Sequence, residues 1–164
     1  MTDVKKFVLG TNCYAAIKND GTLWMWGVNF NGQLGTGSNE LNQLTPTKVL
    51  DDVSKVYLLD SYTFGCVAAV TTKGELYMWG SNGSGQLGIG NQKEQNTPQK
   101  VDLANVKKVS MDGMTTSALT TDGKMYIWGA NGTYGLGLEM NEETGQYYKL
   151  LKPKQVETMS SYKL

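Results

Sequence analysis

The same phrase of residues occurs three times in this 164-residue chain, and that repetition limits its fold more than any other feature. The copies read Gly21-Thr-Leu-Trp-Met-Trp26-Gly-Val-Asn-Phe-Asn-Gly-Gln-Leu-Gly-Thr-Gly37, then Gly74-Glu-Leu-Tyr-Met-Trp79-Gly-Ser-Asn-Gly-Ser-Gly-Gln-Leu-Gly-Ile-Gly90, then Gly123-Lys-Met-Tyr-Ile-Trp128-Gly-Ala-Asn-Gly-Thr-Tyr-Gly-Leu-Gly137. The steps from Trp to Trp are 53 and 49 residues. A period of that size marks one supersecondary unit per copy, stacked so that neighbours share a buried core. We divide the chain, as one repeat domain over residues 1–164, into copies at approximately 4–51, 53–102 and 106–157. A residue that recurs in every copy is first of all architecture.

Each copy opens on a short apolar run: Phe7-Val-Leu, Val56-Tyr-Leu-Leu and Val109-Ser-Met. After a turn come Tyr14-Ala-Ala-Ile17, Val67-Ala-Ala-Val70 and Thr116-Ser-Ala-Leu119. The reversals Asn19-Asp-Gly21, Thr72-Lys-Gly74 and Thr121-Asp-Gly123 have the chemistry of hairpin turns, with Gly supplying positive φ. A third strand follows: Leu23-Trp-Met-Trp26, Leu76-Tyr-Met-Trp79 and Met125-Tyr-Ile-Trp128. A Gly/Asn-rich loop then leads to Pro46-Thr-Lys-Val49, Pro98-Gln-Lys-Val101 and Pro153-Lys-Gln-Val156. Proline at the start of that segment predicts an edge strand, where an amide donor is not needed. The expectation is four short strands per copy and no helix.

Side chains alternate faces along a strand. The third strand therefore sends Leu23 and Met25 one way and Trp24 and Trp26 the other, and the other copies divide likewise. Both faces are apolar, which predicts sheets covered on both sides by neighbouring copies rather than half-exposed to water. The Ala-Ala and Ser-Ala pairs of the second strand predict close approach of the sheets there. Four-stranded antiparallel sheets packed face to face and repeated radially form a β-propeller. The predicted class is thus all-β, a propeller-type array of about three four-stranded antiparallel blades. We expect either a partial ring or a ring completed by oligomerisation.

Composition removes several functions. The chain has 15 Lys+Arg and 15 Asp+Glu, every base being Lys, and it has no His. Without Arg there is no bidentate fork for phosphate or guanine. Without His there is no imidazole base and no Ser-His-Asp triad. A neutral, Arg-free chain lacks the basic footprint of a nucleic-acid binder. No apolar run is long enough for a transmembrane helix, and the N-terminus lacks the apolar stretch of a signal peptide. As written, the chain reads as cytoplasmic, with no membrane partner. Its Lys- and Asn-rich character suggests an AT-rich genome, and a bacterial source is the expectation.

The repeated motif resembles the regulator of chromosome condensation repeat, a propeller family. The residues carrying the resemblance are Trp26-Gly27, Asn29 and Gly32-Gln-Leu-Gly35; Trp79-Gly80, Asn82 and Gly85-Gln-Leu-Gly88; and Trp128-Gly129, Asn131 and Leu136-Gly137. The phrase Ala118-Leu-Thr-Thr-Asp-Gly123 adds to it. The third copy departs, with Tyr134 and Gly135 in place of the Gly-Gln pair and a longer stretch from Glu139 to Tyr148. Cys13, Cys66 and Thr115 stand where the family often has His. The family's ring has about seven blades. The resemblance therefore implies a fragment of a larger propeller, or a short protein that closes its ring with further copies.

Local signals that could carry chemistry recur with the repeat. The Gly-x-Gly clusters lack the helix that a dinucleotide site requires, so they read as loops. Asp51-Asp52 and Glu142-Glu143 are adjacent, and neighbours on a strand face opposite ways. Asn82-Gly-Ser84 and Asn131-Gly-Thr133 match glycosylation sequons but fall on the repeated turn. Cys13 and Cys66 read as one small buried side chain used twice, a disulfide or metal site being the lesser reading. No metal and no cofactor is expected, and no catalytic residue is identified. The family includes a plant photoreceptor with Trp set beside Arg and His; this chain has neither.

What varies between copies is the loop joining the first two strands: Thr11-Asn12, Ser61-Tyr-Thr-Phe64 and Asp112-Gly-Met-Thr115. These loops are expected to open on one face of the array. Variable loops on a rigid frame are where repeat proteins place function. The candidate partner-binding residues are Asn12, Tyr14, Ser61, Tyr62, Phe64, Met114 and Thr115. The expected function is a non-enzymatic scaffold for protein–protein interaction, with an unidentified protein partner and a homo-oligomer through the outer sheet faces. The resemblance implies two sharper alternatives: guanine-nucleotide exchange on a small GTPase, or inhibition of an enzyme in the manner of the propeller-type β-lactamase inhibitor.

Overall fold

A computed structural model describes residues 1–60, 64–130 and 148–156. Among these it contains twelve strands and no helix. The first sheet is β1 (Val4–Leu9), β2 (Cys13–Lys18), β3 (Leu23–Val28) and β4 (Asn42–Leu50). The second is β5 (Val53–Asp60), β6 (Gly65–Thr71), β7 (Leu76–Gly80) and β8 (Gln95–Lys100). The third is β9 (Val106–Met111), β10 (Thr115–Thr120), β11 (Met125–Ala130) and β12 (Lys149–Gln155). Each sheet is an antiparallel meander in chain order.

The fourth strands are longer than their proline-led ends predict. Between Met25↔Thr47 and Gly27↔Gln43 the register jumps, so residues 44–46 stand opposite Trp26 alone. The second sheet does the same between Met78↔Gln99 and Gly80↔Gln95. Pro46 and Pro98 therefore sit inside outer strands, at bulges where no ladder amide is required.

The two faces of each sheet behave as their alternation predicts. Register sets Tyr14, Trp26, Ala16 and Trp24 on one face of the first sheet, and Ala15, Met25, Ile17 and Leu23 on the other. The latter face packs on Val56, Val67, Ala69 and Trp79 of the second sheet. The second sheet's opposite face, with Cys66, Ala68, Val70, Leu76 and Met78, packs on Val109, Ala118 and Trp128 of the third. Every interface thus lays the aromatic face of one sheet on the aliphatic face of the sheet before it. Cys13 and Cys66 are free, buried, and in different clusters, so each is a core side chain.

The repeated phrase explains the junctions. A Cβ at Gly27, Gly80 or Gly129 would strike the main-chain carbonyl of Asn12, Gly65 or Met114 across the strand pair, and all three have positive φ. Asn29 ties the following loop: its Nδ2 donates to the Ser38 and Glu40 carbonyls, and its Oδ1 accepts from Leu34 N. Asn82 repeats this with the Asn91 and Lys93 carbonyls and Leu87 N. The loop then meets the next sheet. Trp79 Nε1 donates to the Gln33 carbonyl at 2.9 Å, and Trp128 Nε1 to the Gln86 carbonyl at 2.8 Å. Gly35 and Gly88 give these rings room, since a Cβ there would lie 2.5 and 2.6 Å from the indole nitrogens.

Candidate functional site

The first and third of the loops joining first to second strands are tied to the second sheet. Asp60, the last residue of β5, reaches back to the first sheet: its Oδ2 accepts from Asn12 N, and from Cys13 N at 2.9 Å. The Gln33 side chain lies against Gly65, and Phe64 lies against Gly113. Gln86 Nε2 donates to the Gly113 carbonyl at 3.0 Å, fixing the third loop to the second sheet. Asp112 closes its own loop, accepting from Met114 N and Thr115 N at 3.0 and 2.8 Å. Contacts between units are therefore made by the Asp60 carboxylate, which the repeat phrase does not include, and by the glutamines, which it does.

Of the candidate residues, Met114 is exposed in these loops, and Phe64 is half-buried. Asn12 contributes its amide to Asp60. Thr115 lies by register on the open face of the third sheet, its Oγ1 donating to the Ala130 carbonyl at 3.0 Å. Tyr14 leaves the loops and joins the open face of the first sheet, where its ring stacks on Trp26 with centroids 5.8 Å apart. Ser61, Tyr62 and Asn131 lie outside the described residues. Sequence reasoning missed Asp60 and Gln86. Asp60 could have been found, because it is an acid directly after the apolar run Val56–Leu59.

The chemistry available is that of binding. Burial, and then the neighbouring Asp60 carboxylate, push the Cys13 thiol far above its usual range. Burial pushes Cys66 up to about 12, with Asp112 adding to it. Neutral buried thiols are neither nucleophiles nor metal ligands. Asp60 Oδ1 is buried without a hydrogen-bond partner among the described residues. No three His, Cys, Asp or Glu side chains converge as a metal site among the described residues. The cleft bordered by Glu75, Lys100 and residues 101–104 holds an exposed ion pair. No helix among the described residues is long and apolar enough to cross a membrane.

Comparison with known proteins supplies the family. The repeat described as "Regulator of chromosome condensation (RCC1) repeat" matches residues 20–58 and 73–119, together more than half of the chain. The Arabidopsis thaliana ultraviolet-B receptor UVR8 is 32% identical over 108 residues, covering 66% of this chain and 24% of that protein. The Homo sapiens probable E3 ubiquitin-protein ligase HERC3 is 32% identical over 98 residues, covering 57% of this chain and 9% of that protein. Among solved structures, yeast RCC1 (Prp20) bound to Kap60 superposes with a TM-score of 0.77 at 21% identity, covering 97% of this chain and 38% of that one. A second Saccharomyces cerevisiae Prp20p structure, described with its binding to Gsp1p and histones, gives a TM-score of 0.73 at 20% identity, covering 97% and 39%. The fold is that of a β-propeller segment, and the chain spans about a quarter or less of the length of these two sequence relatives.

Proposed function

The chain belongs to the regulator of chromosome condensation repeat family, and from that premise we propose that it serves as a non-enzymatic scaffold for protein–protein contact through its row of first loops. The observation that carries this reading is the contrast between frame and loops. The frame repeats its Trp-Gly-x-Asn phrase in each copy, whereas Gly10–Asn12, Phe64 and Asp112–Met114 differ, and Asp60 and Gln86 tie the first and third of these stretches to the second sheet. Rigid presentation of unlike side chains suits recognition more than chemistry. The ligase relative is matched over only 9% of its length, so its printed activity does not argue for an enzyme here.

Exchange on a small GTPase is the second reading, favoured by the Gsp1p named with the Prp20p structure. No relative named above is an enzyme inhibitor. One experiment separates the readings: fluorescence titration of a purified Gsp1p-type GTPase and of core histones with this chain, alongside release of a fluorescent nucleotide. Binding weakened at least about tenfold by Met114→Glu, with nucleotide release unchanged, is the scaffold result; a tenfold change corresponds to about 1.4 kcal/mol. Accelerated release supports exchange. No binding to either protein overturns the choice of these partners, and binding indifferent to Met114 overturns the rim.

A further inference from the structure

The two outermost sheet faces of this chain are the two halves of the interface it already builds twice. Register identifies equivalent positions. Phe7, opposite Ala16, corresponds to Val56, opposite Ala69, and to Val109, opposite Ala118. Val56 and Val109 are 3% and 2% exposed, but Phe7 is 51% exposed and Leu9 beside it 66%. Trp26 corresponds to Trp79 and Trp128, which are fully buried with their indole N–H groups bonded to a carbonyl of the preceding loop. Trp26 is half-buried, held only by stacking on Phe7 and Tyr14, and its N–H has no acceptor among the described residues. At the far end, Met125 corresponds to Leu23 and Leu76, both fully buried, yet it is 46% exposed, and Ile127 and Leu119 beside it are half-buried.

The geometry points to a second copy of this chain as the occupant, laying the aliphatic face of its third sheet on the aromatic face of the first. Complementarity argues for the same chain. The open face of the first sheet is aromatic, with one unused donor, and the open face of the third is aliphatic, the pairing found at both internal interfaces. A zero net charge sets no long-range repulsion between copies. The expected partner for the Trp26 N–H is an acceptor oxygen of the incoming copy. Such a contact is heterologous, so it either closes a ring or continues head to tail. Two copies supply six sheets, within the usual range of about 4–8 blades for closed propellers. This inference rests on the outer faces and stands or falls separately from the loop rim.

Light scattering coupled to size exclusion, on the full chain over a hundredfold range of concentration, tests it with two face variants. The unmodified chain should give a mass of two chains or a head-to-tail ladder, and Phe7→Lys and Met125→Lys should each reduce it to one. Both positions are exposed, and circular dichroism checks that both variants remain folded. The deciding arm is the mixture: Phe7→Lys retains a good third sheet and Met125→Lys a good first sheet, so together they should form a 1:1 dimer that neither forms alone. An unmodified chain that stays monomeric throughout overturns the inference. So does a dimer lost with Phe7→Lys but kept with Met125→Lys, which would mean first sheet against first sheet.

Discussion

Trp26 and Trp79 occupy the same place in consecutive sheets and do different work. Each follows an aliphatic residue on the third strand and precedes a positive-φ glycine. Trp79 lies under the loop of the sheet before it, fully buried, its N–H bonded to Gln33. No sheet among the described residues covers Trp26, which stacks on its own neighbours, Phe7 and Tyr14. The repeat phrase specifies which face a side chain takes. Whether that face is core or surface is decided by the adjoining unit, as expected where stability is a sum of units and their interfaces.

The largest test of this contrast is truncation. Trp79→Ala empties a buried site and strands the Gln33 carbonyl, and should cost about 3–5 kcal/mol. Trp26→Ala, measured at dilutions where the chain is monomeric, should cost about 1 kcal/mol. Urea denaturation gives both figures, with an unchanged slope as the sign that the denatured state is unaltered. Equal losses would break the comparison, because they would mean that the first sheet's open face is already covered.

Glycine substitutions sharpen it next. Gly88→Ala places a methyl 2.6 Å from the Trp128 indole nitrogen, at φ +71°. Gly123→Ala keeps a similar φ of +83° but meets nothing within 4 Å. Backbone strain alone should cost about 1–2 kcal/mol at Gly123. Overpacking at Gly88 should add about 1–3 kcal/mol to that. Thermal melts that fail to separate the two would show that the loop can move off the ring, and that the junction is looser than its hydrogen bonds suggest.

Much of this arrangement is legible in the sequence, and for one reason: a period-two pattern with both phases apolar marks a strand built to be covered on both sides. That logic yields the sheets, the turns, the two unlike faces and the family. It misplaces the start of the fourth strands, because a proline reads as a boundary when the strand can bulge around it at Thr45–Pro46. The candidate rim is less legible. Tyr14, read as the start of the second strand and grouped with the loops as a candidate, belongs by register to the open face, opposite Trp26. Asp60 and Gln86 act between units about 30–50 residues apart in sequence, where local pattern carries no information. Cross-unit contacts of that kind are set by how sheets stack, which follows only once the stack is known.

Cysteine labelling asks whether the first sheet is loosened by its open side. Cys13 and Cys66 hold equivalent places, each on an aliphatic face that is closed. With Cys66 pushed up to about 12, its thiolate fraction at pH 8 falls by about a thousandfold from that of an ordinary thiol. Native protein treated with iodoacetamide should show neither site modified by mass spectrometry, and both should react in urea. Faster labelling of Cys13 than of Cys66 would mean that an uncovered aromatic face weakens the whole sheet, not its surface alone.

The smallest effect concerns charge, and there the sheets should not differ. Asp20 and Asp122 sit in matching turns of the first and third sheets. Hydrogen bonds from Thr22 hold Asp20 below its usual range, and those from Lys124 and Thr120 bring Asp122 to about 2. A carboxylate whose folded value is depressed adds stability that is present above the ordinary value near 3.8 and is lost as pH falls through the folded one. Both groups are fully exposed, so solvent and salt screen the gain. Asp20→Asn and Asp122→Asn should each lower the melting temperature by less than about 2 °C at pH 6, and the small difference from the unmodified chain should shrink below the ordinary carboxylate value and vanish only once the pH is below the folded values. Equal, small shifts would place the whole distinction between the sheets in what covers their faces. A larger shift for Asp20→Asn would place part of it in the turns, where the backbone of the first sheet matches that of the third.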